Sequence, residues 1–538
     1  MSSPETRQVV LDGARGLHLR RFGGVGRPIV LLHESPRSSA VLAPLATRLA
    51  HRFTLFALDT PGYGSSDPLV MQRPEIADFA DAVARSLRAV GLTRAPVYGT
   101  HTGATIAVEL ARRHPDLVGG LVLDGYPVFT VEERDLHHGF YMKDFPARWD
   151  GDHVVELWSR IRDQFDFFPW YLRSESARLP APKADLARHR AVLRDFLLSG
   201  PHYGVAYAAS FRFDGREALS GQSVPIRIVA RPNDLLFSQM TRLEALPPDC
   251  TISQISADPD AWAATIGDLF DEMPGDSAPP PETNEVAFGL TGLLAAIDGR
   301  MLARAYGSAT ETRTPLLLLH DSPGSAEQLQ DLALRLGRER CVLVPELPNH
   351  GRSVELAPGV EVMDTIALLL AALDSRPGPL WHVVGFGAGG DLARLLASQA
   401  PGRIAEVIEV AAPGDSGEPA QDRLPPRWDG ADLLEQWFAS RDLTLFAPDG
   451  ARRANEVGAD VESIHRRFVA SVLGRGRDRA AAVAVRAALD QAGPAVRAST
   501  RIAAAAAAPE GPYSVVLAEK IREVMRAADA TRGSSDPQ

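Results

Sequence analysis

The chain repeats itself across several hundred residues, and this constrains its fold more than any other feature. Ile29-Val-Leu-Leu-His33-Glu34-Ser35-Pro36 returns as Leu316-Leu-Leu-Leu-His320-Asp321-Ser322-Pro323, an offset of 287 from His33 to His320. The same offset carries Asp59-Thr-Pro61-Gly-Tyr-Gly64 onto Glu346-Leu-Pro348-Asn-His-Gly351. Gly99-Thr100-His101-Thr102-Gly103 returns as Gly385-Phe386-Gly387-Ala388-Gly389 at 286, and Arg148-Trp149-Asp150-Gly151 as Arg427-Trp428-Asp429-Gly430 at 279. A period this long is that of whole domains rather than of a solenoid unit. At 538 residues the chain also exceeds what one hydrophobic core serves. The expected partition is a domain over 1–273, a Pro-rich linker over 274–285, a second domain over 286–527 and a disordered tail over 528–538.

Within the first copy, strand and helix signals alternate. Ile29–Leu32, Phe53–Leu58, Gly120–Leu123 and Pro225–Ala230 are short apolar runs of the kind buried on both faces of a parallel sheet. Ala40–Ala50 and Glu75–Val90 carry helical apolar spacing. This predicts an α/β fold with a doubly wound sheet in each copy. The rhythm lapses for about 95 residues after Asp124, a stretch rich in Phe, Tyr and Trp, which reads as a helical cap over about 126–220. In the second copy no acid-bearing strand or final histidine is evident after Val485, and Ala503–Ala508 is a low-complexity run of undecided structure.

Gly99-x-His101-x-Gly103 follows an apolar strand and opens a helix, the context of a nucleophile elbow, with histidine where serine is usual. Together with the His33 loop, Asp59-Thr-Pro-Gly-Tyr-Gly-Ser-Ser-Asp67 and Asp234, it gives the first copy a resemblance to the α/β-hydrolase superfamily, in its epoxide-hydrolase and dehalogenase-like branch with a cap. The second copy resembles a degenerate form of the same domain, with Gly387 at the elbow, packed as an intrachain pseudo-dimer or acting as a separate binding module. The resemblance implies an oxyanion hole from the backbone N–H groups of Ser35 and Thr102. It also implies an acid at Asp234 or Asp124. The family's last histidine is missing: Ile255-Ser-Ala-Asp-Pro-Asp-Ala-Trp262 stands in its place.

His101 is then a nucleophile, a general base, or a relic filling its pocket. Glu34 adds a carboxylate that either polarises His101 or pairs with Arg37. Asp59 reads as structural. For substrate contacts the candidates are His33, His138, Trp149 and Trp170. Trp170-Tyr171 is replaced by Asp449-Gly450 in the second copy, which favours Trp170 as a site residue. Trp149 keeps its counterpart, which favours a structural role.

The expected function is hydrolysis of an ester, thioester or activated C–C bond in a small apolar or aromatic substrate, without a cofactor or metal. Two alternatives stand beside it: a base-driven lyase or cofactor-independent oxygenase, and a catalytically degenerate binding or scaffold protein. A net charge of −11 without a basic block argues against nucleic acid or anionic membranes as partners. No signal-like or spanning apolar run is present, and Cys250 and Cys341 stand alone, which fits a reducing cytoplasm. Homo-oligomer formation is left open.

Overall fold

The computed structural model describes residues 5–179, 185–243, 246–280, 286–308, 310–322, 324–354, 356, 361–376, 380–410, 424–445, 460–474, 485, 488, 499–502 and 512–533. The chain divides into two compact units, Met1–Pro146 with Glu156–Glu282, and Ala147–Val155 with Thr283–Gln538.

The first unit is built on eight strands: β1 (Thr6–Asp12), β2 (Arg15–Phe22), β3 (Pro28–Leu32), β4 (Thr54–Leu58), β5 (Ala95–Thr100), β6 (Val118–Asp124), β7 (Ile226–Ala230) and β8 (Cys250–Gln254), in the spatial order β1-β2-β4-β3-β5-β6-β7-β8. β1 and β2 pair antiparallel, β2 joins β4 antiparallel, and from β4 to β8 every pairing is parallel. Ile29, Val30, Leu31 and Leu32 are fully buried, as a strand covered by helices on both faces requires. Strand order reverses direction between β3 and β5, and the crevice beyond their carboxyl ends is where an open α/β sheet places its ligand. The elbow follows β5, the His33 loop follows β3, and Asp124 ends β6.

The second unit has seven strands: β9 (Leu293–Ile297), β10 (Met301–Tyr306), β11 (Leu316–Leu319), β12 (Val342–Pro345), β13 (Trp381–Phe386), β14 (Ile404–Val410) and β15 (Thr500–Ile502). Their order, β9-β10-β12-β11-β13-β14-β15, repeats that of the first sheet from β1 to β7. Two expectations are corrected here. The second copy does have a late strand, β15, pairing parallel to β14 as β7 pairs to β6. It is short and polar, so its sequence carried no apolar run to mark it. The helix Pro512–Gly533 also runs into the segment expected to be a disordered tail, since Leu517, Ile521 and Met525 bury one face against the sheet. Ala503–Ala508, Asp449-Gly450 and 534–538 lie outside the described residues.

The cap also departs from expectation. Ala147–Val155 belongs to the second unit rather than the first. The carbonyl of Trp149 accepts from Trp437 Nε1 at 3.3 Å, and the Arg441 guanidinium stands 5.6 Å from the Trp149 ring. His153 packs edge-on against Trp437 at 4.5 Å. Trp149, 43% exposed, thus belongs to the second unit rather than to the first, whose site it was expected to line.

Gly99 and Gly103 set the elbow's tightness. A Cβ on Gly99 would lie 2.5 Å from the Gly103 carbonyl oxygen, and one on Gly103 only 2.2 Å from that of Leu32. Strand, turn and helix meet backbone to backbone, where only glycine fits. Gly99→Ala or Gly103→Ala should each lower the urea midpoint, at a cost of about 1–3 kcal/mol or more from forced overpacking. Gly139→Ala, on an exposed helix with nothing within 4 Å, should instead stabilise slightly, by about 0.5–1 kcal/mol.

Candidate active site

His101 stands at φ 46° and ψ −112°, a conformation in which an L-residue is strained. Its N–H donates to the Asp124 carbonyl at 3.2 Å, and its own carbonyl accepts from Ala104 and Thr105 as the helix Thr102–Arg113 begins. These bonds hold the strained turn and raise the side chain out of the sheet. It is 26% exposed, in an otherwise buried neighbourhood.

The imidazole is held by Asp234. Nε2–H donates to Asp234 Oδ2 at 2.9 Å and lies 3.2 Å from Oδ1. Asp234 sits just after β7 and is itself fixed by the Leu236 N–H at 2.8 Å. The pair shares charge. Burial alone would lower the His101 pKa, but the Asp234 carboxylate, its hydrogen bond, and the charges of Glu34 and Asp124 raise it to about 9. Burial opposes ionisation of Asp234 as well, yet the imidazolium lowers its pKa to about 2. At neutral pH the two form an ion pair. The bond fixes Nε2, which leaves Nδ1 as the nitrogen able to act on a substrate.

Gly125 makes room for this pair. It has φ +64°, and a Cβ there would lie 2.6 Å from His101 Cδ2, 2.7 Å from Nε2 and 2.9 Å from Asp234 Oδ1. The motif at the elbow did not point to it, although a glycine directly after a strand-ending aspartate is a usable signal for a positive-φ position.

The other candidates fall in different places. Asp124, the rival acid, does not bond the imidazole. It is fully buried, and its Oδ2 accepts from the Tyr98 hydroxyl at 2.7 Å and from Trp262 Nε1 at 3.1 Å. Arg231 Nη2 lies 3.5 Å from the same oxygen and 3.9 Å from Asp234 Oδ2, with its guanidinium 4.9 Å from the Trp262 ring. The segment lacking the family's histidine thus supplies an indole instead, tied into the acid network. Tyr98, Arg231 and Trp262 went unnoticed in the sequence because each is unremarkable alone. Burial raises the Asp124 pKa, and Arg231 and Tyr98 only partly offset it.

Glu34 makes no hydrogen bond to His101; its nearest charged partner is Arg37, at 4.0 Å, and it acts on the imidazole only through its field. His33 is not a substrate contact. It is 1% exposed, its Nδ1–H donates to the Glu34 carbonyl at 2.8 Å, and its Nε2 accepts from Thr60 N–H at 2.9 Å. His320 makes the equivalent two bonds in the second unit, to Asp321 and from Leu347. In both units this histidine shapes the loop. Asp59 is likewise structural, accepting from His18, Ser39 and Ser65.

Trp170 is corrected too. At 7% exposed, it donates Nε1–H to the Tyr141 carbonyl at 3.1 Å and forms the cap's small core with Tyr141 and Phe211. The His138 side chain lies outside the described residues. The Ser35 and Thr102 backbone N–H groups donate to no protein group among the described residues. Among the described residues no three His, Cys, Asp or Glu side chains converge to hold a metal, and no helix is long and apolar enough to cross a membrane.

Gly125→Ala should separate His101 from Asp234. We expect it to fold with a lowered Tm and to bring the His101 pKa back towards 6.5, as read by NMR titration; an unchanged pKa would mean that the ion pair tolerates the methyl group.

Comparison with known proteins agrees with this architecture. The sequence matches the alpha/beta hydrolase fold family over residues 27–156 and 314–493, more than half of the chain and in both units. It is 35% identical over 120 residues to a 2-(acetamidomethylene)succinate hydrolase of Mesorhizobium japonicum, covering 21% of this chain and 41% of the relative. It is 25% identical over 207 residues to a haloalkane dehalogenase of Agrobacterium fabrum, covering 35% of this chain and 65% of the relative. Among solved structures, epoxide hydrolase A of Mycobacterium thermoresistibile matches with 16% identity and a TM-score of 0.41, over 51% of this chain and 100% of that one. The chain thus spans less than two thirds of the length of the two curated relatives. By sequence and by strand order, the chain belongs to the alpha/beta hydrolase fold family, in two tandem copies.

Proposed function

We propose that the first unit hydrolyses a small acyl compound, an ester or thioester, with His101 as general base. The observation that carries this reading is the His101 Nε2–H bond to Asp234 on an intact elbow. The bond fixes the tautomer and orientation of the imidazole, the part an acid plays in hydrolytic triads. Membership of the hydrolase family supports the reaction type.

The step balances without a cofactor. Neutral His101 takes a proton at Nδ1 from water, and the hydroxide formed attacks the acyl carbon. The oxyanion lies against the Ser35 and Thr102 N–H groups. As the tetrahedral intermediate collapses, the Nδ1 proton passes to the departing alkoxide or thiolate, which returns the imidazole to its neutral form. A base is favoured over a nucleophile because an acyl group on Nδ1 would need a second base for its release. The position after β8 that supplies a histidine in this fold instead carries Trp262, bonded to Asp124. The cap aromatics Tyr141, Trp170 and Phe211 are spent in packing, so an apolar or aromatic substrate is supported only by the composition around the site.

The raised pKa sets the pH dependence. A base must be unprotonated, and with a pKa of about 9 only about 1% of His101 is neutral at pH 7. On p-nitrophenyl esters, kcat/KM should therefore climb about tenfold per pH unit from 7 and level off near 9. His101→Ala should abolish the rise. Asp234→Asn should lower the plateau and move the inflection towards 6.5. A profile that falls above pH 9 would show His101 working as an acid, and equal rates in parent and His101→Ala would remove it from the chemistry.

A further inference from the structure

The second unit keeps the elbow without its side chain. Gly387 has φ 48° and ψ −119°, within a few degrees of His101, so the turn is preserved where nothing remains to present. The space is taken by Asp321, whose Oδ1 lies 2.2 Å from where a Cβ on Gly387 would stand. That oxygen accepts two backbone bonds, from Ser322 N–H at 2.7 Å and Ala388 N–H at 2.9 Å. These residues are the repeat counterparts of Ser35 and Thr102. An oxyanion hole therefore exists in the second unit, and a carboxylate oxygen of the chain itself stands where a reaction oxyanion would stand.

Beside this hole is a serine–histidine pair. Ser322 Oγ–H donates to His350 Nε2 at 2.8 Å, and His350 Nδ1–H donates to the Pro348 carbonyl at 2.9 Å. The second bond fixes the tautomer in which Nε2 is the basic nitrogen, aimed at the hydroxyl. The His350 ring is buried and meets the His320 ring edge-on at 5.1 Å, whereas Ser322 is only partly buried. In the first unit the counterparts are Ser35 and Tyr63. The Tyr63 hydroxyl donates instead to the Tyr203 carbonyl at 2.6 Å, burial pushes its pKa up, and a neutral phenol is no base. Only the second unit has exchanged this residue for a group that can take the serine proton.

We propose that Ser322 and His350 are a latent nucleophile–base pair, held off by Asp321 in the adjoining oxyanion hole, that reacts with acyl or phosphonyl electrophiles. Ser322 contributes its own N–H to the hole, so its Oγ is one residue's reach from the place where the electrophile's oxygen would settle. The step is complete in itself. His350 Nε2 takes the Oγ proton as the Oγ–P or Oγ–C bond forms. The leaving group departs with the bonding pair, as fluoride from a fluorophosphonate, and the proton is then lost to solvent. The electrophile's oxygen displaces Asp321 Oδ1 from the two N–H donors.

An alkyl fluorophosphonate probe on the full chain, with the modified peptide mapped by mass spectrometry, tests this. Ser322 should label slowly in the parent and about 100-fold faster in Asp321→Ala, the scale on which oxyanion donors act. His350→Gln should slow labelling by about 100-fold, as loss of a general base does, and Ser322→Ala should abolish it at this peptide. A label on the His101 peptide would report on the first unit separately. Circular dichroism establishes that each variant is folded. Should Asp321→Ala fail to fold, exhaustive labelling of the parent against His350→Gln and Ser322→Ala decides the question. A rate indifferent to His350→Gln, or no label on Ser322 under those conditions, overturns the proposal.

Discussion

The candidate site of the first unit is organised by one strained turn. The sharp change from β5 into the helix Thr102–Arg113 requires a residue near φ 46°, and two glycines without which the backbones could not close. Strain of this kind persists only where the surroundings over-determine it. Here the Asp124 carbonyl, the first helical turn and the packing of Gly103 on the β3 carbonyls do so. The same turn places the Thr102 N–H at the helix start and the imidazole above the sheet. One constraint thus positions both the imidazole and the Thr102 N–H beside it.

The two units show what this constraint permits. In the first, the elbow carries an imidazole held by Asp234. In the second, a glycine adopts nearly the same dihedral angles, and Asp321 fills the vacated space and accepts from the Ser322 and Ala388 N–H groups. The loop residue at this position is acidic in both, yet its fate differs. Glu34, one methylene longer, bonds neither His101 nor the hole and lies nearest Arg37. A small difference in side-chain length thus accompanies a large difference in where the carboxylate sits. Comparison of the copies also separates fold from function. His33 and His320 make the same pair of backbone bonds and belong to the fold. Tyr63 and His350 occupy one position with different chemistry.

Much of the fold could be read directly, because its signals are local or periodic. Continuous apolar runs marked β3 to β7, and the constant offset exposed the duplication. The elbow was legible from two glycines and their context. What escaped reading depended on long-range packing. β15 is short and lies far in sequence from the strand it pairs with. The helix Pro512–Gly533 buries one face, but its polar composition hid this. Trp149 lies within the first copy's cap in sequence yet packs with the second unit. Site residues divided the same way. The pairing of His101 with Asp234, which stand 2.9 Å apart, followed from position. Choosing between Asp124 and Asp234 needed geometry, since both end strands beside the elbow. The burial of Trp170 against Tyr141 and Phe211 was not legible either, since a residue present in one copy alone carries no signal of whether it packs or lines a pocket.

The account rests on a protonated His101 held through Nε2 by Asp234. The most direct measurement is a pH titration of the imidazole nitrogens by 15N NMR on protein labelled at histidine, with His101→Gln used for assignment. The account predicts a His101 pKa near 9, with the proton retained on Nε2 above it and Nδ1 as the site that titrates. A pKa near 6.5, or a neutral form protonated on Nδ1, would contradict it, because the imidazole would then be neither charged by Asp234 nor oriented to act as a base at its free nitrogen.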